Sequence, residues 1–566
     1  MSPALSSEDV PASAPPVGGT AATSPLYIIN IHDPLFRRIH PASSRVRQPG
    51  SLTIVGRRAR PSRLEPYDSC AYRPEHSRHR CARVTPGPDD QGGHMLTRLE
   101  VSGFKNLLDL RVEFGPFTCI AGENGTGKSN VFDAIQFLSL LADHSMIEAA
   151  QAVRGTHGEL HGDARDLFWN GYAAGEHMMT FAAEMIVPSE VEDDFGRLAE
   201  PTSTFLRYEL RLGYQPPRGG ERGGRLTLRS ENLSQIRPRD AGSHLRFSHS
   251  VKGFRNAVVR GRRSTAPYIS TTFDTGDAVV RIHADGGRRG QPRPAPASRA
   301  PRTMLSTINE NDDPTILAAR REMQSWRRLA LEPSALRTAD RFTDPDEMQP
   351  DGRHLPRCLD RIARGKSPDD PARVYSRVAG RLSDLSGLHV RTLDVDADDT
   401  RQLLTIKLHE IDGMVLPARS LSEGTLRFLA LCVLLEDPKS GGLMCMEEPE
   451  NGIHPANLFA MVSLVRDLAV DATEQVDEED NPFRQVLINT HSPGVVELVG
   501  AADLLIADTS TVPEAGGRTA RSLRLRPLAD TWRAGGAEKG YGTKADILAY
   551  LTTPPQARLT LEGSDS

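Results

Sequence analysis

Four places in the chain gather residues whose types and spacing suit chemistry on a nucleotide. The first is Gly122-Glu123-Asn124-Gly125-Thr126-Gly127-Lys128-Ser129, which fits GxxxxGK[ST] in full. Glycines let successive backbone N–H groups curl around phosphate oxygens. A helix that begins at once turns its unpaired N–H groups and its dipole towards the anion. On that chemistry Lys128 reaches the β- and γ-phosphates, and the Ser129 hydroxyl ligates Mg2+. A chance glycine turn has the same spelling, but an apolar stretch before it (Phe117–Ala121) and a helical pattern after it (Ser129–Leu141) supply the strand and helix that the chemistry requires.

The second place is the apolar run Leu443–Met446, which ends in Glu447, Glu448 and Pro449. A carboxylate at the C-terminal end of such a strand holds the metal in phosphoryl-transfer sites, here Glu447. The next one, Glu448, is placed to deprotonate the attacking water, a contribution of about 10²–10⁴ in rate. The plain alternative is a solvated strand end before a proline turn. Third, Ser422 and Gly424 open an apolar helix running to Leu435. Ser422 suits an N-cap, and the same exposed N–H groups suit a second anion, offered to a nucleotide bound on another subunit. Fourth, His491 follows the apolar stretch Val486–Thr490. There it stands at the strand edge where open α/β sheets bind ligands, in reach of a γ-phosphate or the attacking water; a loop histidine with an ordinary hydrogen bond is the competing explanation.

These residues need elements to hold them. Strand patterns alternate with helical ones near both ends of the region from Met95 onward, which predicts a parallel sheet. Between them, 165–384 predicts an inserted lobe. It has strand-like alternations at Thr180–Val187, Phe205–Tyr214, Arg225–Arg229 and Ala278–His283, then a helical stretch at Thr315–Leu331. The expected organisation is a Pro/Arg-rich disordered extension over 1–94, possession of which by the native protein is itself in question. The first half of the head then covers 95–164, the insert 165–384, the second half 385–510 and a tail 511–566.

The 566 residues, 38% hydrophobic with a net charge of −5, fit a soluble protein of several domains. The longest apolar run, Phe428–Leu435, has eight residues, far short of the ~18–20 of a membrane span. Six cysteines without a CxxC pair and no secretory leader predict a reduced, cytoplasmic protein with no membrane partner.

Taken in order, the four motifs resemble the ABC-type ATPase heads of the SMC, recombination-mediator and overcoming-lysogenization-defect (OLD) groups, and most closely the AAA-type core ATPases of the OLD group. Gly122–Asn130 looks like the Asn-containing phosphate loop of that branch, where transporter ATPases usually carry Ser at the place of Asn124. Leu421–Arg427 looks like its signature motif, Glu447–Pro455 like its extended Walker B, Asn489–Pro493 like its H-loop, and Leu99–Asn106 like its opening strand. The resemblance implies an α/β P-loop NTPase head with a parallel central sheet, an antiparallel β lobe and a helical, loop-rich insertion. It implies ATP held by Gly122, Glu123, Asn124, Gly125, Thr126, Gly127, Lys128, Ser129 and Asn130, with Mg2+ on Ser129 and Glu447 and with Glu448, His491 and Lys128 catalytic. It also implies a homodimer in which each ATP lies between one protomer's phosphate loop and the other's Ser422 and Gly424. Glu447 departs from the pattern, standing where many relatives have Asp. No lid glutamine is identified, since Gln136 and Gln151 lie too near the phosphate loop. No heptads predict a long coiled coil, and the 75 residues after His491 are too few for a Toprim nuclease domain.

Within 251–302 there are 11 basic residues (Lys252, Arg255, Arg260, Arg262, Arg263, Arg281, Arg288, Arg289, Arg293, Arg299 and Arg302) against 3 acidic ones, a net charge of +8. Such a patch suits a phosphate backbone, or equally a set of solvated loops. The expectation is ATP hydrolysis coupled to a nucleic-acid transaction in DNA repair or anti-phage defence. The alternative is a nucleotide-dependent switch that holds a separate effector protein such as a nuclease.

Overall fold

The computed structural model describes residues 94–552, except 154–162, 170–177, 218–223, 262–265, 275–276, 286–291, 367–369, 387–388, 478–479, 514–518 and 537–540. The expected extension therefore lies outside the described residues, apart from His94. That residue is buried, and its Nδ1 lies 2.6 Å from Glu322 Oε2.

In chain order the strands that matter are β1 (Met95–Ser102), β2 (Leu110–Glu113), β3 (Phe117–Gly122), β4 (Met178–Ile186), β5 (Phe205–Gln215), β6 (Arg225–Gln235), β7 (Ile269–Asp274), β8 (Asp277–Ile282), β9 (Arg293–Pro296), β10 (Arg327–Leu329), β11 (Val390–Asp398), β12 (Leu403–Glu410), β13 (Gly442–Glu447), β14 (Arg484–Thr490), β15 (Leu504–Pro513) and β16 (Thr519–Pro527). The helices that matter are α1 (Lys128–Leu141), α2 (Pro314–Gln324), α3 (Leu355–Lys366), α4 (Ala372–Ser386), α5 (Glu423–Glu436), α6 (Leu458–Asp467) and α7 (Pro493–Leu498).

A six-stranded sheet in the order β10-β13-β14-β3-β15-β16 forms the centre, parallel except for β16. β3 and β14 are buried along their whole length, as expected of parallel strands covered on both faces. The period-2 alternation of a strand then divides their side chains between two cores. Ile120, Leu443, Cys445, Leu487 and Leu505 pack with α1 and an antiparallel sheet. Cys119, Ala121, Met444, Met446, Val486 and Ile488 pack with α3 to α7. α5 is apolar nearly all round because it is buried nearly all round.

The antiparallel sheet runs β9-β8-β7-β6-β5-β4-β1-β2. It is not confined to the expected insert, because β1 and β2, which precede the phosphate loop, form its far edge. The burial of β1, one face in and one face half out, is that of an antiparallel strand. Its outer face carries a ladder of alternating charge, with Glu113 opposite Arg98, Arg98 opposite Glu184, and Glu184 opposite Arg207. Opposite charges on neighbouring strands favour that register. β11 and β12 belong to a third, smaller antiparallel sheet.

Two further expectations change. The helix expected over 315–331 stops at Gln324, and β10 follows as the edge strand of the central sheet. The described part of 511–552 is no appendage. β16 pairs with β15, and the buried Arg533 donates to Glu113 O at 2.9 Å and Thr118 Oγ1 at 2.7 Å. Among the described residues no helix is long and apolar enough to cross a membrane.

Candidate functional site

The parallel strands release their chains at one edge of the sheet. Register sets Ala507 beside Gly122, Thr490 beside Ala121, and Asn489 beside Glu447. The phosphate loop, the paired carboxylates and His491 therefore leave three neighbouring strands side by side.

Two glycines of the loop answer to close approach. A Cβ on Gly122 would sit 2.4 Å from Ala507 O, and one on Gly127 would sit 2.2 Å from the Asn106 side chain, where φ is also +105°. Asn106 braces the loop: it donates to Thr126 O at 2.9 Å and accepts from Asn130 Nδ2 at 2.7 Å. Thr126 Oγ1 closes the turn on Glu123 O at 2.9 Å, and Asn124 and Gly125 form an exposed tip. Lys128 folds over the loop, its Nζ donating to Gly122 O at 2.7 Å and Glu123 O at 2.8 Å. Burial pulls its pKa below the ordinary lysine value, against the charges of Glu448, Glu450 and Glu447. α1 starts with no side-chain cap and no acid in its first turn. By contrast, Ser422 Oγ caps α5, accepting from Thr425 N at 3.2 Å. An uncapped N-terminus leaves donors for an anion.

Ser129 Oγ donates to Glu447 Oε2 at 2.8 Å. The other oxygen of Glu447 is buried and makes no aligned hydrogen bond among the described residues, although Arg328 Nη2 lies 2.7 Å away as an ion pair. A hydroxyl and a carboxylate with acceptor capacity to spare form an all-oxygen donor set, the kind Mg2+ takes. These residues fit that ion.

Glu448 sits at φ +46°, a left-handed conformation that typically costs a non-glycine residue about 1–2 kcal/mol. Its backbone N–H is anchored on Asn489, to O at 3.0 Å and Oδ1 at 3.1 Å. Its carboxylate accepts from His491 Nδ1 at 2.7 Å and from Asn451 Nδ2 at 2.8 Å. Burial alone would raise the Glu448 pKa. The bonds from Asn451 and His491, with the charges of His491 and Lys128, outweigh it and hold the group below the ordinary carboxylate value. Glu450, two residues on, is pushed the other way, chiefly by burial. It pairs with the Thr490 hydroxyl, which in turn accepts from Ser492 N at 2.9 Å and so braces the turn carrying His491.

The structure thus gathers Lys128, Ser129, Glu447, Glu448 and His491 at one edge. It does not bring Ser422 and Gly424 into that group. Ser422 is engaged with Thr425 at the start of its own helix, and Gly424 packs on the Asn451–Gly452 turn, where a Cβ would stand 3.0 Å from Gly452 O. Gln136 lies on α1 with Oε1 3.5 Å from Arg328 Nη1, and Gln151 lies in the helix Met146–Ala152. Sequence reasoning missed Asn106, Asp133 and Arg328. Asp133 carried a faint signal, one helical turn beyond Ser129, whereas Arg328 was hidden in the stretch assigned to a helix.

Of the basic residues, Arg262, Arg263, Arg288 and Arg289 lie outside the described residues. Lys252, Arg260, Arg293 and Arg299 are exposed. Three have local partners: the exposed Arg293 pairs with Asp313, Arg281 with Thr272, and Arg302 with Asp143 O.

A family profile described as "AAA domain, putative AbiEii toxin, Type IV TA system" matches residues 297–497, and a second, "AAA domain", matches 98–140. The DNA replication and repair protein RecF of Lactobacillus delbrueckii subsp. bulgaricus is 37% identical over 79 residues, 13% of this chain and 21% of that protein. RecF of Parabacteroides distasonis is 43% identical over 51 residues, 9% and 14% of the two chains. The chain spans about a fifth of the length of the first of these relatives. Among solved structures, an SMC head bound to the C-winged helix domain of ScpA aligns with 76% of this chain and 98% of its own at 15% identity and a TM-score of 0.36. The SMC head domain from Thermotoga maritima gives the same coverage at 14% identity and 0.28.

Proposed function

We propose that the chain carries an ABC/SMC-like P-loop ATPase head that binds and hydrolyses ATP with Mg2+, as a nucleotide-sandwich homodimer coupled to a nucleic-acid transaction. The observation that carries the reading is the meeting of Ser129 Oγ and Glu447 Oε2 at 2.8 Å, across 318 positions of sequence, beside an uncapped helix start.

In this reading the loop from Gly122 to Asn130 wraps the triphosphate, and Lys128 exchanges its two carbonyl partners for phosphate oxygens. Ser129 and Glu447 would hold Mg2+, which when bound would neutralise charge on the phosphates. Glu448, ionised at neutral pH, accepts the proton of the attacking water. His491 donates from Nδ1 to Glu448, which fixes the side chain of the base and leaves Nε2 for the γ-phosphate or the water. Ser422 and Gly424 act on the nucleotide of a second copy, whose phosphates complete the anion site at the start of α5. The RecF relatives are named for DNA replication and repair, and in this reading the exposed Lys252, Arg260 and Arg299 meet the same polyanion.

The test is steady-state ATP turnover with and without single- and double-stranded DNA, at low salt and then at rising salt. We expect stimulation by DNA that falls steeply as salt rises. Turnover that ignores DNA at low salt would overturn the coupling to nucleic acid.

A further inference from the structure

The metal carboxylate has a neighbour that none of the four motifs contains. β10 pairs with β13 so that Arg328 lies opposite Cys445, and alternation sends Arg328 to the face covered by α1. Its Nη2 lies 2.7 Å from Glu447 Oε1, and its Nη1 lies 3.4 Å from Asp133 Oδ1. Asp133 stands on α1 one turn after Ser129, with its side chain fully buried, and its other oxygen accepts from Lys105 Nζ at 2.7 Å. Two cations from distant parts of the chain thus bracket one buried carboxylate, and one of them reaches on to Glu447.

We propose that Arg328 is a positioning residue for the metal site, clamping Glu447 in the rotamer that presents Oε2 to Mg2+ beside Ser129. The argument rests on the reading of Glu447 as the metal carboxylate. A glutamate arm has one more rotatable bond than the aspartate it replaces, and holding it costs side-chain entropy at every binding event. Arg328 takes up that freedom beforehand by gripping the oxygen that does not face Ser129. A bare cation so near a metal would repel it; Asp133, shared with Lys105, offsets part of the positive charge of Arg328. The same contact ties β10, which lies within the long region between the phosphate loop and the second half of the head, to Glu447.

The probe is Mn2+ bound together with ADP, measured by electron paramagnetic resonance on the full chain, with ADP binding in EDTA as the metal-free control. Arg328→Gln should weaken Mn2+ binding by about 10–100-fold, the usual consequence of losing a partner of a metal ligand. Metal-free ADP affinity should stay within about twofold, and Arg328→Lys should recover part of the loss. A clamp on a long arm should also lose its purpose on a short one, so in a Glu447→Asp background Arg328→Gln should cost less than about threefold. Unchanged or tighter Mn2+ binding in Arg328→Gln overturns the proposal, as does an equal penalty with Asp at 447. If the unaltered chain binds no Mn2+ with ADP, it is the assignment of the metal site itself that fails.

Discussion

Glu448 and Glu450 lie two positions apart and are driven in opposite directions by what surrounds them. Glu448 is held below the ordinary carboxylate pKa by Asn451 and His491 against its burial, while burial raises Glu450. A lowered pKa keeps Glu448 ionised at any pH above the ordinary carboxylate range and lets it protonate only further into acid. Asn451→Ala removes a bond that favours the charged form, so the acid limb of the ATPase profile should move to higher pH. A limb unmoved in Asn451→Ala would mean that another group sets it. Glu448→Gln should retain ATP binding and lower kcat by about 10²–10⁴; near-normal turnover would remove Glu448 as the base. Lys128→Ala gives up a charge-assisted contact worth roughly 1.5–3 kcal/mol, so ATP affinity measured by calorimetry should fall by about 10–100-fold. At this scale the site was largely legible, because phosphate and metal chemistry fix which residue types must stand at which spacing. Asn106 and Arg328 were not legible, since they act through contacts between segments 20 and more than 100 residues apart, of which a linear pattern holds no trace.

The strands and helices were readable where one period dominates. β3, α1, α5, β13 and β14 announce themselves by apolar runs or helical spacing bounded by Gly, Ser or Pro. β10 does not, because three residues that follow directly on α2 through Ser325 and Trp326 offer neither an alternation nor a breaker. The antiparallel edge was misjudged for a different reason: β1 was legible as a strand, but its partners are set by tertiary pairing with β4, about 80 residues on. That sheet carries a prediction of its own. His244 Nδ1 lies 2.8 Å from Glu184, and the bond to Glu184 raises the histidine pKa above its ordinary value. A raised folded-state pKa gives stability that is full below the unfolded pKa of about 6.5 and is lost as pH climbs through the folded value. His244→Gln should therefore lower Tm more at pH 6 than at pH 8.5. Equal deficits at the two pH values would show that the pair is not titrating in the folded state.

For the whole molecule, the central sheet is the common wall of two cores, and its strands place side chains into both. Movement of the sheet edge where nucleotide is proposed to bind would be felt by α1 and the antiparallel lobe on one side and by α5 on the other. The start of α5 is engaged within its own chain, Ser422 with Thr425 and Gly424 with the Asn451–Gly452 turn, and in the proposed dimer it meets a nucleotide that a second copy presents. Light scattering of Glu448→Gln with ATP and Mg2+ tests this most directly. The account predicts a mass of two chains that reverts to one when ATP is omitted or when Lys128→Ala is added. A mass of one chain at saturating ATP, with nucleotide demonstrably bound, would contradict it.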